Sequence, residues 1–168
     1  MEIQATINKW LEVKKLMSKD SRYIISFLTA FLLLCIGGGI YFCYRPLSLL
    51  MFKWLGISGN ELWLINLRES LSSPPSWVIY ALPDGLWSCA YVIFIGMIWK
   101  FNYKECWTIA SIIPTIGVLS EIGQAFGWIK GVFDIEDLIM YVFGAMSGFI
   151  FLMIMKYRGS FEQTKPIL

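Results

Sequence analysis

The chain is 168 residues long, enough for one domain, with 57% hydrophobic, 17% aromatic and 15% charged residues. Soluble domains carry about 25% charged residues, so a water-soluble core is excluded in favour of bilayer spans. A net charge of +2 without a Lys/Arg-rich stripe argues against nucleic acid, and the lack of histidine removes the commonest general base and transition-metal ligand.

In chain order, residues 1–22 form a mostly polar segment. Ile3, Ile7, Trp10, Leu11, Lys14 and Met17 fall near helical spacing over residues 3–17, which predicts an amphipathic helix resting on the membrane surface. The first apolar run, Tyr23 to Tyr44, is long enough at about 1.5 Å per residue to cross a hydrocarbon core of about 30 Å. It has no small-x-small cleavage site, so it reads as a retained anchor.

A long loop follows, from Arg45 to Ser76. Within it Leu47 to Leu55 is too short to span and is expected to lie in the interface or re-enter. Ser72-Ser73-Pro74-Pro75-Ser76 makes a stiff lead into the second run, 77–99, which tryptophans bracket at both ends. A third run covers about 107–128 and a fourth about 135–155, leaving 156–168 as a tail. The expected fold is an all-α membrane protein with a four-helix transmembrane domain over 23–155.

Basic residues predict the orientation. With the N-terminus inside, the inner segments hold Lys9, Lys14, Lys15, Lys19, Arg22, Lys100, Lys104, Lys156, Arg158 and Lys165. The outer segments hold only Arg45, Lys53, Arg68 and Lys130, so N-in and C-in is the expected arrangement. The four cysteines (Cys35, Cys43, Cys89, Cys106) lack C-x-x-C spacing and read as small packing residues.

Acids within or beside a span are costly, about 2.5–3.5 kcal/mol at mid-helix on insertion scales, and so ask for an explanation. Asp84, Glu121, Asp134, Glu136 and Asp137 all fall toward the outer ends of three segments, which a common site would explain. Asp84, in Leu82-Pro83-Asp84-Gly85, either lies about 10 Å into a helix begun at Trp77 or sits in the first turn of a helix begun at Pro83. In either case residues 77–82 are expected to include irregular backbone, which membranes tolerate mainly beside polar cavities.

Glu121 and Gln124 share a helix face with Gly117, although Glu121 can equally be read as a headgroup-level acid turned to water. Asp134, Asp137, Tyr141, Gly144 and Gly148 recur at steps of three and four, on a stripe about 80° wide. Its upper part is polar and its lower part is a small-residue packing surface, open to intramolecular packing or to a homo-oligomer through Gly144 and Gly148. Asp134 and Asp137 also read as a capping pair at a helix start, while Glu136 points off the stripe. Arg68 is the expected countercharge, with a solvated loop arginine as the alternative. Acids so placed should share a proton or hold a cation.

The order Glu121-x-x-Gln124, short loop, Asp134-x-x-Asp137, Gly144-x-x-x-Gly148 resembles the VanZ-like family of small bacterial integral membrane proteins, over about residues 77–155. The family often carries Asn where Tyr141 stands, and an early basic stretch with histidine that is missing here; Asp84 is the candidate for that part of the site. The resemblance implies a multi-pass protein of the bacterial cytoplasmic (inner) membrane with a role in the cell envelope, and names no reaction.

Three functions are open at this level. The first is an outward-facing site of Asp84, Glu121, Gln124, Asp134, Asp137, Tyr141 and Arg68 that binds a polar lipid headgroup or lipid-linked envelope precursor, with membrane lipid as partner. The second is a membrane-embedded enzyme using carboxylates and Mg²⁺ on a lipid-linked phosphate. The third is a small cation- or proton-coupled carrier, for which four spans without a repeat offer little machinery.

Overall fold

A computed structural model of the chain describes residues 2–57 and 61–163, which form helices and turns with no strand. The elements are α1 (Glu2–Tyr44), α2 (Leu50–Trp54), α3 (Leu62–Ser70), α4 (Ser76–Tyr80), α5 (Leu82–Ile98), α6 (Tyr103–Ala125) and α7 (Ile135–Gln163). Among the described residues, four helical stretches are long and apolar enough to cross a membrane: Ser21–Tyr44, Ser76–Ile98, Lys104–Ala125 and Ile135–Arg158. The outward surface is rich in large apolar side chains, among them Phe27, Leu28, Phe31, Leu32, Ile116 and Phe143, as expected for a bundle solvated by hydrocarbon.

The spans alternate in direction, and α5 packs against α1, α6 and α7. The approach of α5 to α7 depends on absent side chains: a Cβ at Gly144 would overlap the Gly85 carbonyl, and one at Gly148 would stand 2.7 Å from Val92 Cβ. Gly144 and Gly148 are therefore buried inside the chain, and their stripe is not free to receive a second copy. Ser88 Oγ donates to the Tyr141 carbonyl (3.1 Å) across the same contact, and Tyr91 Oη donates to the Ile109 carbonyl (2.8 Å) to tie α5 to α6.

The apolar core lies toward one end, around Val92, Phe101, Cys106, Ala110, Leu152 and Met155. Lys100 and Phe101 turn the chain from α5 to α6 at φ of 53° and 62°. Phe101 is driven into the core, where Tyr23 packs on its ring at 5.2 Å and the Arg22 guanidinium covers it at 5.7 Å. Arg22 also donates to the Met155 carbonyl at 3.2 Å, tying α1 to α7 at that end.

Several boundaries differ from the sequence expectation. The backbone of α1 is helical from Glu2 and runs unbroken into the first span, with no separate surface helix; the side chains of Ile3, Trp10, Leu11, Lys14 and Met17, which would define its apolar face, lie outside the described residues. The second span is broken at Ala81, because Pro83 has no N–H for the Ile79 carbonyl. The expected irregular stretch is thus one joint between two helices. The third span stops at Ala125 rather than Trp128. Gly127 takes φ 70° there, with Trp128 N–H bonded to the Gly123 carbonyl (2.8 Å) and Gly127 N–H to that of Gln124 (3.0 Å). That is a Schellman stop. In the long loop the apolar stretch yields α2, with Phe52 fully buried and Trp54 exposed, while α3 was not anticipated.

Candidate functional site

The end of the bundle away from Phe101 gathers the C-terminus of α1, the joint between α4 and α5, the end of α6 and the start of α7. Each contributes a polar group. Glu121, on the last turns of α6, is 7% exposed and is nonetheless satisfied. Its Oε1 accepts from Gln124 Nε2 at 2.9 Å, and its Oε2 accepts the backbone N–H of Asp134 at 3.2 Å. The shared face of Glu121 and Gln124 is thus realised as a direct bond, and Glu121 is turned into the protein rather than out to water.

Asp134 caps α7: its Oδ1 accepts the Glu136 N–H at 2.8 Å, and its carbonyl accepts the Leu138 N–H at 3.3 Å. Glu136 is exposed, as its position off the stripe requires. In an ordinary capping box the residue at the third helical position returns to the cap's own N–H. Here Glu121 takes that bond from another helix, and Asp137, at the third position, is left over. Its Oδ1 is buried with no hydrogen-bond partner among the described residues.

Asp84 stands in the first turn of α5 and hydrogen-bonds with the Tyr141 hydroxyl, so it is a first-turn acid and also a contact to α7. The Tyr141 ring packs where Gly117 has no side chain; a Cβ there would come within 2.5 Å of it. Asp84 lies within electrostatic reach of Asp137, Arg45 and Glu121, and Asp137 within reach of Asp134, Glu121 and Arg45. The structure therefore brings Asp84, Glu121, Gln124, Asp134, Asp137 and Tyr141 together.

It does not bring Arg68 to them as their countercharge. Arg68, on α3, donates to the Phe42 carbonyl near the end of α1 and lies 5.6 Å over the Phe52 ring. It staples the long loop to α1. The guanidinium in reach of Asp84 and Asp137 belongs to Arg45, which sequence reasoning had left among the loop cations. Arg45 is held between the rings of Tyr41 (4.7 Å) and Tyr80 (4.8 Å) and donates to the Tyr41 hydroxyl at 3.0 Å. One signal was legible: Tyr41 precedes Arg45 by four, the spacing of neighbours on a helix face.

Chemically, four carboxylates gather with a tyrosine hydroxyl and a carboxamide, and two of them, Asp84 and Asp137, lie within reach of one guanidinium. No group of three Asp, Glu, Cys or His among the described residues is arranged to hold a metal ion. The set is rich in acceptors and short of donors. The fold and this site define a multi-pass helical membrane protein with a carboxylate cluster at one end of its bundle. Comparison with protein-family models, curated proteins and solved structures finds no match.

Proposed function

We propose that the chain is a VanZ-like protein of the bacterial cytoplasmic membrane whose carboxylate cluster faces outward and binds a polar lipid headgroup or lipid-linked envelope precursor. The orientation rests on the basic residues: Arg22, Lys100, Lys104, Lys156 and Arg158 gather at the end opposite the cluster. The family assignment rests on Glu121-x-x-Gln124, Asp134-x-x-Asp137 and Gly144-x-x-x-Gly148.

The observation that carries the binding role is Asp137. A buried carboxylate oxygen without a partner is costly, and a ligand that brings an ammonium or hydroxyl donor relieves the cost. Arg45 complements it as the group for a phosphate or carboxylate on the same ligand. Native mass spectrometry in mild detergent tests this. The wild type is expected to retain a lipid-sized mass that Asp137→Asn loses while its melting temperature is kept. An empty wild type, or equal retention in the folded variant, overturns the reading.

A further inference from the structure

A groove of about 290 Å³ runs between α6 and α7, with walls from Trp107, Pro114, Val118, Val142, Met146 and Phe149 among others. Every residue of its lining lies within the candidate spans, and Met146 is 58% exposed on its rim. In a bilayer the medium at that rim is hydrocarbon. We infer that this groove seats one acyl chain of a bilayer lipid whose headgroup occupies the carboxylate cluster. The inference rests on the headgroup reading above and deepens it by naming the ligand class.

Three features argue for one chain. The first is size. From Trp107 to Val118 the groove follows α6 for about 16 Å. A hydrocarbon chain about 4.5 Å across at van der Waals contact fills about 250 Å³ over that length, so the groove's 290 Å³ has room for one chain. A partner helix about 10 Å across would need about 1,200 Å³.

The second is continuity. Val118 lies one turn from Glu121 on the same face of α6, about 4.5 Å of rise. Ala145, also in the lining, lies one turn from Tyr141 on the same face of α7, and the Tyr141 ring abuts Gly117. The groove therefore ends beneath the cluster. The third is closure: Trp107 stacks on Phe149 at 4.2 Å between centroids, giving the far end an aromatic floor. Because a lipid tail outside the protein is already in hydrocarbon, the groove adds little driving force. It positions the chain, and through it the headgroup.

The test uses the full chain in phosphatidylethanolamine/phosphatidylglycerol vesicles doped with a phosphatidylethanolamine carrying a diazirine in its acyl chain. After photolysis, adducts are mapped by mass spectrometry. In the wild type, adducts on residues 107–119 and 142–149 should exceed those on the exposed α1 face at Leu28, Phe31 and Leu32 several-fold. Thr115→Trp and Met146→Trp fill the groove from opposite, exposed walls and should each bring its adducts down to the α1 level. Asp137→Asn should lower them as well. No enrichment in the wild type, or enrichment that survives both filled variants, overturns the inference. Enrichment lost on filling but kept in Asp137→Asn overturns the headgroup reading, and with it the claim that groove and cluster hold one molecule.

Discussion

Glu121 on α6 accepts the backbone N–H of Asp134, the residue that caps α7, at 3.2 Å. The capping box of α7 is thus split between two helices. Its cap is local, and its returning acid comes from the preceding span. The arrangement locks the last turn of α6 to the start of α7 and frees Asp137 from a structural duty it would otherwise hold.

The two acids should therefore respond differently to neutralisation. Glu121→Gln keeps one acceptor oxygen where two are needed, and is expected to cost about 1–3 kcal/mol. Asp137→Asn removes charge from a buried oxygen with no partner among the described residues and should leave stability unchanged or raise it by up to about 1 kcal/mol. Thermal unfolding in one detergent compares them; equal losses would show that Asp137 is also structural.

Arg45 and Arg68 make a second contrast. Arg45→Gln leaves Asp84 and Asp137 without their cation and should destabilise by about 1–3 kcal/mol, less than a fully buried pair would because Arg45 is half-buried. In a double-mutant cycle with Asp84→Asn it should show coupling above about 0.5 kcal/mol. Arg68→Gln with Asp84→Asn should be additive within that margin. Coupling to Arg68 instead would restore the countercharge expected from the sequence.

The crossing of α5 and α7 is sensitive to a single methyl. Gly144→Ala drives a Cβ into the Gly85 carbonyl and should cost about 1–3 kcal/mol through overpacking. Gly38→Ala on α1 meets nothing within 4 Å and should be neutral or stabilising by up to about 1 kcal/mol. Melting curves of the pair separate a packing effect from a general intolerance of glycine replacement.

Orientation is checked by thiol labelling in a background without the native cysteines. Lys130→Cys, in the loop between α6 and α7, should react with a membrane-impermeant maleimide in intact cells. Lys100→Cys, in the turn between α5 and α6, should react only after permeabilisation. The reverse pattern would invert the proposed topology.

That turn also stores strain. Lys100 holds φ at 53°, which costs a residue with a side chain about 1–2 kcal/mol, and it is exposed. Lys100→Gly should raise the melting temperature. A decrease would show that the lysine side chain stabilises the turn by more than its backbone costs.

How much of this was legible follows from the range of each interaction. The spans were, because apolar blocks of bilayer length need no knowledge of partners. The convergence of the acids was legible through helix direction, and the Asp134 cap through local spacing. The role of Glu121 was not, since its mate is a backbone N–H thirteen residues on across a loop. Nor was Arg45, because its holder Tyr80 lies a whole loop away and is placed only by the fold. The mate of the Gly144 and Gly148 face was left open between a neighbouring span and a second copy for the same reason: small-residue spacing marks a close contact without saying with which helix.

The break at Ala81 has a mechanical meaning. Tyr80, on one side of it, holds the guanidinium, and Asp84, just beyond it, is one of the carboxylates that the guanidinium faces. The residue that seats the cation and one of the acids it answers are thus four positions apart in sequence, on either side of the peptide hydrogen bond that Pro83 cannot make. A change at Pro83 should therefore be felt at both ends of that charge pair.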